Sequence, residues 1–269
     1  MMAPTSYESF YANNEEFPKR IYQTWKSKTV IPANMKHWMN TWVDNNTGYK
    51  HELWDDRDNR VFMKRYYSWF LPVYDSYDKN INRVDAVRYF YLFHYGGIYV
   101  DMDFECLKPV DNLLKQNKDY DILFGSIESD GKYVGHSIPN AIMISKPQQA
   151  FWVVVFYFLI TNKSLGSVEE QTGPIMLKMA FDFYRRNQAV LDTYTWYNEL
   201  RSYIDKVISK TSNIKVFNPE VLYPLSWITN QELRSDTLSQ STENYKELTK
   251  RMVAKFPNSY AITYWTHTW

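Results

Sequence analysis

Cysteine is nearly missing from this sequence: Cys106 stands alone among 269 residues. No disulfide can form within the chain, and a reducing compartment is permitted. An excess of charge of either sign is also missing, with 31 Lys and Arg against 30 Asp and Glu. That balance leaves no basic field to hold nucleic acid. Long hydrophobic runs are absent as well. The longest, "FWVVVFYFLI" from Phe151 to Ile160, has about half of the ~20 residues a membrane span needs, so it reads as a buried helix. The start, "MMAPTSYESFYANNEEFPKR", has no apolar stretch flanked by basic residues and does not read as a signal peptide. The expectation is a soluble chain, cytoplasmic or cytoplasmic-facing, with no transmembrane segment. Asn45 and Asn162 sit in glycosylation-type triplets, which are set aside on that expectation. Neither repeats nor low-complexity segments are visible.

What the chain has in quantity is aromatic residues, 18% of the total with 23 Tyr and 10 Trp. Core packing accounts for most of these rings, and some suit stacking on a sugar or base. Its length fits one large α/β domain, or one domain with a helical elaboration.

Strand and helix signals alternate along the chain. "RIYQTW" (20–25) reads as a first strand. Met35, Trp38, Met39 and Trp42 then recur at i, i+3, i+4 and i+7, one face of a helix. "YKHELWDD" (49–56) reads as a second strand ending in acids, followed by a helix that Pro72 is expected to stop. Asn82 is a candidate cap for the helix "RVDAVRYFYLFHY" (83–95), which Gly96-Gly97 ends. The strand "GIYVDMD" follows, and "YDILFGS" (120–126) and "NAIMIS" (140–145) are further strands. Helices are expected around 147–162, 174–187 and 195–209, and "IKVFNPEVLYPLSW" reads as short extended pieces. The pattern predicts an α/β fold with a mostly parallel sheet and helices on both faces. Ligands in such sheets sit beyond the carboxyl ends of the strands. Both "QTW" and "DMD" fall at such ends.

The acids in "HYGGIYVDMDFECLKPVD" (94–111) are the sharpest signal. If the strand continues through them, Asp101, Asp103 and Glu105 share one face by the two-residue alternation. Met102 and Phe104 then point into the opposite, apolar layer. Like charges so placed repel unless something cationic sits among them. A hard divalent metal with oxygen ligands answers that need. On the preceding helix Asp85 and Arg88 lie at i, i+3. They read either as a local ion pair or, on so apolar a helix, as buried charges that need partners.

The span "RVDAVRYFYLFHYGGIYVDMDFECLKPVD" (83–111) resembles the signature of the D-x-D glycosyltransferases of family 32. That family includes fungal α-mannosyltransferases and inositol-phosphoceramide sugar transferases, and glucosylating bacterial toxins share a similar core more distantly. "FPKRIYQTWKS" (17–27), "NAIMIS", "TGPIML" (172–177) and the closing "YWTHTW" are similar to family segments in the same order. The resemblance implies a GT-A-type nucleotide-sugar-binding fold in a single domain over 1–269. Its donor-binding core would span about 17–146, and an acceptor-side helical region and closing tail about 147–269. It also implies a retaining hexosyltransferase that uses Mn²⁺ or Mg²⁺ and a UDP- or GDP-hexose, with a glycan, lipid or protein acceptor. By the same resemblance Asp101 and Asp103 are the D-x-D at donor ribose and metal-bound diphosphate. Asp85 and Arg88 hold donor sugar hydroxyls, Thr24 and Trp25 the nucleoside, and Asn140 the strand end facing the transferred sugar. The tail departs from many relatives, with Thr263-Tyr264 where they show a His pair. His267 is therefore the tail's candidate metal ligand, and Trp269 the candidate cover over the donor.

Three other functions are weighed against this one. A metal-dependent phosphohydrolase of the haloacid dehalogenase type also uses D-x-D after a strand. It places that motif on the first strand of its core with Thr or Val two residues on, where this chain has some 100 preceding residues and Glu105. A donor-hydrolysing enzyme and a non-catalytic nucleotide-sugar-binding protein are the others. Survival of Asp85, Arg88, Asp101 and Asp103 disfavours decay to a binding module.

Overall fold

The computed structural model describes residues 16–127, 134–204, 209–225 and 244–266. Its strands are β1 (Arg20–Thr24), β2 (Lys50–Trp54), β3 (Gly97–Val100), β4 (Phe104–Cys106), β5 (Ile122–Gly125), β6 (Ile142–Ser145), β7 (Ile214–Phe217) and β8 (Ala261–Thr263). Six of them form one sheet in the order β2-β1-β3-β6-β5-β7. β1 pairs in parallel with β2 and β3, and β5 in parallel with β7. β6 runs antiparallel to both its neighbours, β3 and β5. β4 and β8 form a separate antiparallel pair.

The strand residues divide between two apolar layers with the period of a pleated strand. Tyr22, Tyr99, Phe124 and Met143 face a cluster that holds Phe90, Phe151 and Trp152. Ile21, Ile98, Leu123, Ile142 and Ile144 face a second cluster with Trp42, Leu113 and Leu222. Helices therefore cover both faces. They are α1 (Ala33–Asn45), α2 (Asp56–Tyr66), α3 (Leu71–Ser76), α4 (Asn80–Tyr95) and α5 (Asp111–Gln116), with α6 (Ala150–Thr161), α7 (Val168–Gln171), α8 (Pro174–Asn187), α9 (Thr195–Ser202), α10 (Pro219–Leu222) and α11 (Tyr245–Lys255) on the carboxyl side. This largely parallel sheet, with helices on both faces and extra C-terminal helices, is the α/β architecture that the sequence led one to expect.

α4 is buried along nearly its whole length, from Asp85 to His94. It packs against α6, where Phe90 stacks on Phe156 with ring centroids 4.1 Å apart. α6 is the apolar run at Phe151–Ile160, and its residues Ala150 to Phe156 are buried. Burying each of its large side chains contributes about 1.5–3 kcal/mol. No helix among the described residues is long and apolar enough to cross a membrane.

Between α4 and β3 the chain reverses through Gly96 (φ 63°) and Gly97 (φ 97°). A Cβ at Gly97 would come within 2.7 Å of the Arg20 carbonyl oxygen, and one at Gly96 within 2.8 Å of Ser145 and Pro147. Backbone angles and close approach both demand glycine there, and the reversal brings the end of β3 beside α4.

Several local expectations are corrected. β3 ends at Val100, so Asp101–Asp103 form a turn, closed by the Phe104 N–H on the Asp101 carbonyl at 3.2 Å. Pro72 lies in the first turn of α3, which starts at Leu71, instead of only stopping α2, because a proline in the first helical turn loses no hydrogen bond. Asn82 lies inside α4, which has Lys79 before it and no side-chain cap. Its amide instead bonds Gln171 Oε1 at 2.9 Å and Thr172 Oγ1 at 3.1 Å. In "IKVFNPEVLYPLSW" the first four residues are β7, but 219–222 are helical.

Candidate functional site

β1 and β3 are adjacent and parallel, so their carboxyl ends open side by side. β1 delivers Thr24, Trp25 and Lys26, and the turn after β3 delivers Asp101, Met102 and Asp103. α4 adds Asn80, Ile81, Val84 and Arg88, α2 adds Asp56, α1 adds Met35, and the C-terminal segment adds Thr266. Together they line a cavity of about 160 Å³.

Arg88 organises the carboxylates. Its Nη2 lies 2.7 Å from Asp85 Oδ1 and its Nη1 3.2 Å from Asp101 Oδ1. Nη1 also donates to the Asn140 carbonyl oxygen at 2.9 Å. The guanidinium carbon sits 4.5 Å from the centre of the Tyr99 ring. Tyr99 in turn donates its hydroxyl to Asp101 Oδ1 at 2.7 Å and meets Thr24 Oγ1 at 3.3 Å. The i, i+3 pair on α4 is thus real, and it is cross-linked to the D-x-D turn.

The acids otherwise separate. Asp103 faces the cavity and its Oδ2 accepts from the Thr266 N–H at 2.9 Å and from the Thr266 hydroxyl at 3.2 Å. Glu105 does not join them. It lies on β4 with no exposed surface and takes the hydroxyls of Thr249 and Tyr264. The shared-face expectation for three acids fails because the strand stops at Val100. The cation among the D-x-D neighbours is Arg88.

Asp85 and Asn140 do not line the cavity. Asp85 Oδ1 accepts from Asn140 Nδ2 at 3.2 Å, and its Oδ2 from Thr172 Oγ1 at 3.3 Å. Asn140 also reaches the Tyr89 hydroxyl at 3.0 Å. These two residues stand directly behind Arg88. Trp25 is half-buried at the cavity wall, and its indole N–H donates to the Val30 carbonyl at 3.1 Å. His267 and Trp269 lie outside the described residues.

Burial pushes the Asp85 carboxyl up to about 7, against the lowering pull of Arg88. It pushes Asp103 up to about 6, with Asp101 adding to the rise and Thr266 opposing it. Asp101 is raised too, by burial that Arg88 and Tyr99 only partly offset. Burial alone would lower the Arg88 pKa, but Asp101, Tyr99 and Asp85 outweigh it and hold the guanidinium charged.

The donor set suits a divalent cation. Asp101 and Asp103 offer hard carboxylate oxygens to one cavity, and Asp101 Oδ2 accepts no hydrogen bond from a described residue. Two carboxylates plus diphosphate and water oxygens make a normal shell for Mg²⁺ or Mn²⁺. No group of three or more His, Cys, Asp or Glu among the described residues forms a metal cage without such a ligand.

Sequence reasoning missed Lys26, Asp56, Asn80 and Thr266. Asp56 ends the "WDD" after β2, the same strand-end signal that drew attention to Asp101. There Asp55 caps α2 by accepting from Arg57 and Asp58 N–H, which leaves Asp56 to face the cavity and accept from Asn80 Nδ2 at 2.9 Å. Thr266 carries no local signal.

Residues 32–120 match the family model described as "Glycosyltransferase sugar-binding region containing DXD motif". The chain is similar to inositol phosphoceramide mannosyltransferase 2 of Schizosaccharomyces pombe, at 33% identity over 63% of this chain and 47% of that protein. It is similar to mannosyl phosphorylinositol ceramide synthase SUR1 of Saccharomyces cerevisiae, at 31% identity over 73% of this chain and 51% of that protein. The chain therefore spans about half the length of these curated relatives. Among solved structures, a PaToxG glycosyltransferase superposes with a TM-score of 0.48 at 16% identity, over 72% of this chain and 81% of that one.

Proposed function

From a chain that carries the DXD-containing sugar-binding region of glycosyltransferases over residues 32–120, we propose a metal-dependent, retaining hexosyltransferase. It moves a hexose from a nucleoside-diphosphate donor to an acceptor hydroxyl. The observation that carries this reading is the convergence of Asp101, Asp103, Arg88, Thr24 and Trp25 on one cavity. The relatives are named an inositol phosphoceramide mannosyltransferase and a mannosyl phosphorylinositol ceramide synthase, which favours mannose as the hexose. Their names also favour an inositol-bearing phosphosphingolipid as the first acceptor to try.

Asp101 and Asp103 would hold a divalent cation against the donor diphosphate. That cation, when bound, supplies Lewis-acid stabilisation of the negative charge on the departing phosphate. Trp25 and Thr24 receive the nucleoside from the β1 side. Arg88 presents a permanent positive charge where the sugar–phosphate bond breaks. Asp85 and Asn140 fix its direction from behind, so that little reorganisation is needed as charge develops. His267 is proposed as a further metal ligand from the tail, and Trp269 as a cover over the donor. No side chain is assigned as a covalent nucleophile.

The test is turnover with Mn²⁺ of GDP-mannose, UDP-glucose and UDP-galactose, with and without inositol phosphoceramide. Acceptor-dependent release of nucleoside diphosphate, with a mannosylated lipid whose anomeric configuration matches the donor, is expected. Equal release without acceptor would make the protein a donor hydrolase. Binding without turnover would make it a binding module.

A further inference from the structure

Glu105 is the acid that the D-x-D reading leaves unused. It has no exposed surface, and an acid so buried needs partners. Its partners come from three other segments. The Tyr264 hydroxyl donates to its Oε2, Thr249 on α11 reaches its Oε1, and His37 Nε2 on α1 lies 3.5 Å from Oε1. His37 also meets Thr249 Oγ1 at 3.1 Å.

The segment held by Tyr264 is the one that reaches Asp103. β8 pairs with β4 in the register Phe104↔Thr263 and Glu105↔Ile262. Past β8, the Tyr264 N–H donates to the Asp103 carbonyl at 3.2 Å, and the Tyr264 ring stacks on Trp38 at 4.6 Å. Trp265 then takes φ 50°, a backbone region that large side chains rarely adopt. It is held there by its indole N–H on the Leu225 carbonyl at 2.8 Å and by its stack on Tyr223 at 5.8 Å. This turn delivers the N–H and hydroxyl of Thr266 to Asp103 Oδ2.

We propose that Glu105 is a positioning residue: through Tyr264 it locks the C-terminal segment so that Thr266 holds the Asp103 carboxylate in the cavity. The two ends of the D-x-D neighbourhood are then one mechanical unit. The residue two positions beyond Asp103 anchors the strand that returns to orient it. A carboxylate preset by two donors keeps its metal-facing direction before the donor arrives. Thr266 touches Asp103 directly, whereas Glu105 and Tyr264 act only through the chain between them.

The claim rests on the proposed role of Asp103, and the experiment separates the two. Mn²⁺ affinity is measured by titration at saturating GDP, with thermal stability followed in parallel. Thr266→Val should weaken Mn²⁺ binding roughly tenfold, the loss of one hydrogen bond to a charged group, and Thr266→Ser should restore it. Tyr264→Phe, which keeps the ring on Trp38, should weaken Mn²⁺ binding by a similar factor although it cannot touch the ion. Adding Thr266→Val to Tyr264→Phe should cost little more than either change alone, since both act on one contact. Additive effects, or unchanged affinity in Tyr264→Phe, overturn the proposal. Failure of the unaltered protein to bind Mn²⁺ with either GDP or UDP would instead count against the transferase reading. In that event amide exchange at Thr266 in the metal-free protein decides the positioning claim. Tyr264→Phe and Asp103→Ala should both speed that exchange, and an unchanged rate in Tyr264→Phe overturns it.

Discussion

Arg88 Nη1 stands 3.2 Å from Asp101 Oδ1, joining a helix charge to the first acid of the D-x-D turn. With Asp85 on its other side, this cation neutralises two carboxylates taken out of water. Removing the cation that both acids share costs about 3–5 kcal/mol, because two buried carboxylates stay behind without it. Arg88→Ala should therefore lower stability by that amount in urea unfolding. Arg88→Lys keeps the charge but not the fork, and it should still lose about two orders of magnitude in kcat/KM. Near-normal kinetics in Arg88→Lys would mean that the guanidinium only holds the fold together.

Asp103 should behave in the opposite way on stability. Its carboxyl is raised to about 6, mainly by burial, so the ionised form is unfavourable in the metal-free protein. Asp103→Asn should hold or raise the melting temperature without metal, by about 2–4 °C for each kcal/mol relieved. The same change should abolish transfer, and EDTA should do so in the unaltered protein until Mn²⁺ is returned. Full transfer in EDTA would remove the metal from the reading.

The pH dependence has a definite sign. Asp85 and Asp103 have folded pKa values of about 7 and about 6, above the ordinary aspartate value of about 3.9. Between about pH 4 and 7 the native state therefore binds more protons than the unfolded chain, and stability from these groups falls as pH rises. Their penalty is complete above about pH 7 and absent below about pH 4. Asp85→Asn should accordingly be more stable than the unaltered metal-free protein at pH 8, and no more stable at pH 4. Chemical denaturation across that range checks it, and a difference that does not vary with pH would show that Asp85 is not raised.

Trp25 offers its half-buried ring at the cavity wall. Stacking of one base on an aromatic ring is worth about 1–3 kcal/mol. Trp25→Ala should weaken GDP or UDP binding by about tenfold or more in calorimetry, with a smaller effect on melting. A large fall in melting temperature at unchanged nucleotide affinity would assign the indole to the core.

The features legible in the sequence were those whose cause is local. Gly96-Gly97 marked the reversal because no other residue fits two adjacent positive φ angles under close backbone contact. The short apolar runs and alternating helix patterns marked the sheet, and Thr24 with Asp101 marked its ligand-bearing edge. The end of β3 was misread because "GIYVDMDFEC" keeps a strand-like alternation past Val100. The turn at 101–103 exists because the next residues pair with β8, about 160 positions later in the chain.

The partners of each acid were settled at the tertiary level. From spacing alone Asp85 and Arg88 formed a local pair and three acids shared a face. In the fold, Arg88 reaches Asp101, Asn140 reaches Asp85, and Glu105 leaves the group for Tyr264. Thr266 meets Asp103 across 163 positions. A period of two or 3.6 residues governs which way a side chain faces within its own element. It carries no information about which distant segment arrives there, because that depends on how the apolar layers pack. The sequence by itself therefore determined the elements, the glycine reversal and the edge where the acids lie, and only the packed layers decided which partner each charge would meet.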